Sequence, residues 1–269
     1  MPRKAIFHHI QKTAGTSVVT MAKEIYGSHN ITSHADFTTL KPEDRHKVPF
    51  LSGHFGYAYF ADLLPERYSF VFLRDPIDRV ISFYNFCRSQ PEDIYPIYSF
   101  AKSVNIMDFV LDSYTQDKTD RDRAARYERV WNNQTWQIAH GWVPVSLRPE
   151  RKTVLDFSPD TLLDMAKEHL MHYNHVGLME TFEDDMKLII SELAPWKNVS
   201  MEKKNVSKKT LRRSELTEEE INVISDATRL DCALYDYALT MNRRKHVPSY
   251  FRQPMAMLKR LPHPFRKTG

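Results

Sequence analysis

The segment KAIFHHIQKTAGTS, Lys4–Ser17, constrains the fold of this chain more than any other stretch. Ala5, Ile6, Phe7 and Ile10 are apolar, with His8 and His9 in positions a pleated, partly buried strand tolerates. The pattern then breaks at Gln11–Ser17, a turn of small and hydroxyl residues around one lysine. Val18, Val19, Met21, Ala22, Ile25 and Tyr26 follow at helical spacing, and Gly27 marks a stop. A strand that turns directly into a helix brings backbone N–H groups, a helix N-terminus and Lys12 to one point. Such a point suits a phosphate or a sulfate. The same turn also serves as a plain strand-to-helix connection, with Thr16 or Ser17 expected as N-cap. The nucleoside-triphosphate pattern G-x-x-x-x-G-K-[ST] is absent, because the lysine precedes the glycine and no Lys-Ser/Thr pair follows.

A second stretch, Tyr68–Phe86, adds to the first. Ser69–Leu73 is a continuous β-rich apolar run, expected of a parallel strand buried on both faces. Arg74-Asp75-Pro76 ends it, and proline suits the first turn of a helix, whose apolar side is Val80, Ile81, Phe83 and Tyr84. Arg74 therefore falls at the C-terminal end of a strand, where open α/β sheets bind ligands. Ser82 lies two turns further along, able to face the same crevice.

The two stretches together resemble the nucleotide site of sulfotransferases that use 3′-phosphoadenosine 5′-phosphosulfate (PAPS). The likeness is to the carbohydrate branch that includes heparan sulfate 2-O-sulfotransferase, and it runs from about Ile6 to about Ala238. It implies an α/β fold with a P-loop-NTPase-like central parallel sheet flanked by helices on both faces. It implies that Lys12, Thr13, Ala14, Gly15, Thr16 and Ser17 grip the 5′-phosphosulfate. Leu73-Arg74-Asp75-Pro76, with Arg79-Val80 and Ser82, matches the segment that holds the 3′-phosphate, so Arg74 and Ser82 are expected there. The basic loop Lys203–Lys209 matches a loop over that phosphate, which adds Asn205, Ser207 and Lys208. The related branch carries proline where this chain has Gln11. It also carries a His-Gly-His segment where this chain has Ser52-Gly53-His54, which implies His54 as the base with Lys12 beside it. Asn133, Gln134 and Trp136 match a segment near the acceptor and are expected to meet sugar hydroxyls and sugar faces. PAPS is the expected donor and its bisphosphate, PAP, the product, with no metal in the scheme. The classes that compete are a small-molecule kinase and a PAP- or glycan-binding pseudoenzyme.

The rest of the chain supports one domain, 1–241, with a basic extension, 242–269. The spacing predicts helices over 106–114, 117–129, 158–172, 180–193 and 216–241, and a strand over 175–179. Residues 91–105, with two prolines and several aromatics, read as a lid or acceptor-lining segment. Residues 28–47 are irregular, and His29, His34 and His46 fit no metal motif. Cys87 and Cys232 are expected to be buried free thiols. A hydrophobic content of 42% and a charged content of 27% are ordinary for a soluble enzyme. The extension holds eight of the 38 Lys and Arg residues and no acid, so the net charge of +4 originates there. It is a candidate for homo-oligomer packing or for attracting a polyanion. No apolar run reaches a membrane span, and the first strand begins at once, so a cytoplasmic enzyme is expected, acting on a hydroxyl-bearing glycan, glycolipid or small molecule and not on nucleic acid.

Overall fold

The computed structural model describes residues 1–147, 152–197 and 210–245. Four strands form one all-parallel sheet: β1 (Ala5–His8), β2 (Phe50–Gly53), β3 (Tyr68–Leu73) and β4 (His175–Leu178). Their order is β2-β1-β3-β4, with His8 opposite Gly53 and Val71, and Leu73 opposite Leu178. Every strand residue is buried, as expected of parallel strands covered on both sides. The helices in chain order are α1 (Gly15–Tyr26), α2 (Pro76–Ser89), α3 (Pro96–Ser103), α4 (Ile106–Leu111) and α5 (Arg121–Val130), then α6 (Asn133–Ala139), α7 (Pro159–Leu170), α8 (Phe182–Leu193), α9 (Glu218–Ala227) and α10 (Arg229–Lys245).

Successive strand side chains point to opposite faces, and two cores result. Ile6, Leu51, Val71, Leu73, Val176 and Leu178 pack against α6, α7 and α10. Ala5, Phe7, Phe50, Phe70 and Phe72 pack against α1 and α8. A third apolar cluster joins α2, α3, α4 and α9 beyond the sheet. The α/β architecture with helices on both faces is thus as expected.

Some boundaries differ. The single helix expected over 216–241 is two, α9 and α10, divided at Thr228. The divide has a tertiary cause. The Asn132 side-chain oxygen accepts the N–H groups of Leu230 and Asp231 and so starts a new helix there. The segment 91–105 contains α3 and is not a plain loop. Among the described residues, no group of His, Cys, Asp and Glu is arranged to hold a metal, and no helix is long and apolar enough to cross a membrane. Cys87 is buried and Cys232 half-buried, both free, so only the first is as enclosed as expected.

The strand order fixes where a ligand can sit. From β1 the chain passes to β2 on one side, and β3 then lies on the other. The order reverses between β1 and β3, which opens a crevice beyond their C-terminal ends.

Candidate active site

The turn after β1 builds the first wall of that crevice. Lys12 and Ala14 adopt left-handed backbone, with φ of 72° and 64°. Thr13 is fully buried between them and donates its hydroxyl to the Ile10 carbonyl at 2.9 Å. Helix α1 starts at Gly15, with Ala14 as its N-cap and no side-chain cap bond. The expected caps, Thr16 and Ser17, therefore lie inside the first turn. The N–H groups of Lys12, Thr13, Ala14, Gly15 and Thr16 have no acceptor among the described residues. A run of N–H groups held by alternating backbone hands is an anion-binding concavity, and the helix N-terminus adds to its potential.

Two cations border the cradle. The Lys12 ammonium lies 4.5 Å from the centre of the Phe86 ring. Burial lowers its pKa, and the neighbouring Arg74 lowers it further. Arg74 is half-buried, reaches the Lys12 carbonyl at 3.4 Å, and is likewise depressed by burial. Neither cation meets a carboxylate at ion-pair distance among the described residues. Two half-buried positive groups without a carboxylate at ion-pair distance favour an anion beside them. Ser82 is half-buried on α2, and its hydroxyl has no hydrogen-bond partner among the described residues.

The frame that holds Arg74 comes from α6. The Gln134 side chain accepts the Arg74 N–H at 3.0 Å and donates to the Arg74 carbonyl at 2.9 Å. Asn133 accepts from the Arg79 guanidinium at 2.9 Å. Arg79 is itself fully buried, its pKa lowered to about 10 by burial, and it also donates to the Arg129 carbonyl. Asp231 on α10 caps α6 by accepting from the Gln134 and Thr135 N–H groups. Asn133, Gln134 and Trp136, expected near the acceptor, are buried at 2%, 1% and 1% exposure. The two amides position the arginines, and the Trp136 ring stacks on His140 within the core.

His54 follows β2 directly, at the same sheet edge. Its Nδ1–H donates to the His9 carbonyl at 3.0 Å, which leaves the Nε2 lone pair available. Its backbone N–H donates to the His34 carbonyl at 2.9 Å. Burial lowers its pKa to about 4, and His34, Arg129 and Lys12 press it in the same direction. The imidazole is neutral well below neutral pH. Ser52, at the other end of the Ser-Gly-His segment, is fully buried.

Two further histidines join it: His34, which the sequence offers as the substitute base should His54 fail, and His9, which it does not single out. The His9 ring lies 4.3 Å from His54 and 5.2 Å from Phe7, centre to centre. His34 stands edge-on to both, at 5.5 Å from His9 and 5.4 Å from His54. The signal for His9 was its parity. In a period-two strand one of two adjacent histidines must turn away from the core face that takes the other. Asn205, Ser207 and Lys208 lie outside the described residues. The described chain resumes at Thr210, and Leu211 is held on α2 through paired bonds with Asn85, near Ser82.

The site thus combines an anion cradle, two unpaired cations and a neutral imidazole at one sheet edge. Among curated proteins, no relative matches this chain. Residues 2–238 match the family model described as "Sulfotransferase family". With that match spanning nearly all of the described fold, the chain belongs to the sulfotransferase family and is a sulfuryl-group transferase.

Proposed function

We propose that the chain moves the sulfuryl group of PAPS to a hydroxyl of a carbohydrate or glycan-like acceptor, with His54 as the base. The observation that carries this reading is the His54 tautomer, fixed by the His9 carbonyl, beside a cradle of unbonded N–H groups. In this reading the Lys12–Ser17 turn holds the 5′-phosphosulfate, and Arg74 and Ser82 hold the 3′-phosphate. Asn205, Ser207 and Lys208 join them from the basic loop. Residues 1–241 form the catalytic domain and 242–269 a basic arm available for subunit packing. The enzyme works in the cytoplasm and takes no metal.

The transfer is in-line. The acceptor O–H bond breaks, its proton goes to His54 Nε2, and the oxygen bonds sulfur. The bond from sulfur to the bridging phosphate oxygen breaks, and that electron pair leaves with PAP. Charge develops on the sulfuryl oxygens and the leaving phosphate, so fixed positive potential and positioning dominate. Lys12 and the cradle N–H groups supply that potential.

The test is PAP release from PAPS with a panel of unsulfated glycans. His54→Ala is expected to lower turnover by ~10²–10⁴-fold, with PAP affinity and melting temperature near wild type. A base with a pKa of about 4 is neutral above that value, so wild-type activity should hold from pH 8 to about pH 5 and fall only below. Near-normal turnover by a folded, PAP-binding His54→Ala protein would remove His54 as the base.

A further inference from the structure

The proton that His54 accepts has to leave it, and the surroundings oppose its staying. His54 is depressed to about 4, and the groups that face it are His9 from the end of β1, Lys12 from the cradle, Arg129 from α5 and His34 from the 28–47 loop. No carboxylate is among the groups that shift it. One ring nitrogen is already bound to a carbonyl, which cannot relieve the ring of a proton at neutral pH. His9 is enclosed, 5% exposed, with its Nε2 against Gly15, so it offers no route to solvent.

His34 is different in each respect. It is exposed, and its ring stands at 86° to His54 with centres 5.4 Å apart. Its carbonyl accepts the His54 N–H, so the two residues are tied by backbone as well as by ring. Its Nδ1 faces the Ser33 hydroxyl at 3.3 Å, and the Asp36 carboxylate closes the same turn on the Ser33 N–H. The backbone at His34 is left-handed, with φ of 46°. A residue other than glycine in that region is strained, and glycine would sit there with less strain.

We infer that His34 is the proton exit of the site, an exposed imidazole that takes the acceptor's proton from His54 and delivers it to solvent. This rests on the His54 reading above. The balance is simple: His54 returns to its neutral tautomer, His34 is transiently the cation, and bulk water takes the proton. His34 acts through His54 and is a positioning residue in the reaction, not a group that touches the donor. His34 brings a second imidazole to the edge where His54 sits, from the 28–47 loop.

The experiment compares full-length wild type, His34→Gly, His34→Gln and His54→Ala, with PAPS and the glycan panel as probes. His34→Gly suits the backbone and leaves the space of the ring. It is expected to melt at or above the wild-type temperature and to turn over about tenfold or more slowly. Added imidazole should restore its rate in a saturable, pH-dependent way. His34→Gln fills that space and should be slow without rescue. Wild-type turnover in His34→Gly, or a loss that imidazole does not restore, overturns the exit role while His54→Ala remains inactive. Full activity in His54→Ala would instead bring down the base assignment on which the inference stands.

Discussion

Gln134 bears no charge and reaches no open space, yet both ends of its amide bond the backbone of Arg74. Removing it leaves a buried N–H and carbonyl without partners, which costs about 1–3 kcal/mol. Gln134→Ala is therefore expected to lower the melting temperature and to weaken PAP binding, although the side chain touches no ligand. A calorimetric titration that finds wild-type affinity in this variant would contradict the positioning role. The residue also shows how far the sequence can be read. Asn133, Gln134 and Trp136 have side chains that suit a sugar, and nothing in so short a stretch says which way they turn. The burial of the two amides follows from Arg79 and Asp231, which arrive from distant parts of the chain, and that of Trp136 from His140 and Phe157. Arg74 and Lys12 were legible because a strand end and a small-residue turn fix their place locally.

At the scale of elements, α1 begins earlier than its hydroxyl residues suggest. The cap residue is Ala14, in left-handed backbone, whose methyl side chain cannot accept from the first-turn N–H groups, so those of Gly15 and Thr16 stay open. Gly15 is the tight point of this arrangement. A Cβ there would lie 1.5 Å from the His9 Nε2, with that ring already held between Phe7 and His54. Gly15→Ala should displace the His9 ring and cost about 1–3 kcal/mol through overpacking. It should also depress PAPS turnover, because the His9 carbonyl sets the His54 tautomer. A variant with unchanged melting temperature and turnover would show that the cradle and the histidines are not mechanically joined. The split between α9 and α10 is the complementary case. Local periodicity runs on through Thr228, and only the Asn132 side chain, from α6's own N-cap position, interrupts it.

For the whole molecule, the parallel sheet was readable because its strands are covered on both faces and so are mostly apolar, with Ser69–Leu73 the clearest run. The strand order was not, since it depends on which side each crossover packs. That order gathers the ends of β1, β2 and β3, and it encloses imidazoles that ordinarily titrate near 6.5. Burial lowers His8 to about 3 and His54 to about 4, and it holds His9 well below its ordinary value. The folded state thus binds fewer protons than the unfolded chain once pH falls below 6.5. Stability from these groups is complete above that pH and is lost as pH drops toward 4, by about 1.4 kcal/mol per unit for each group. Melting temperatures should be level from pH 8 to 7 and fall steadily between 6.5 and 5. A level or rising profile down to pH 5 would show that the imidazoles are not enclosed as described.

The central claim is that the β1–β3 crevice is a site for a doubly phosphorylated adenosine. Isothermal titration of wild type and Arg74→Ala with PAP, adenosine 5′-phosphate and ATP tests it before any acceptor is known. Wild type should bind PAP more tightly than either of the others and without magnesium. Arg74→Ala should lose at least tenfold for PAP, the scale of one charge-assisted contact, and much less for adenosine 5′-phosphate. Equal losses for both ligands, or a wild-type preference for magnesium-ATP, would contradict the account.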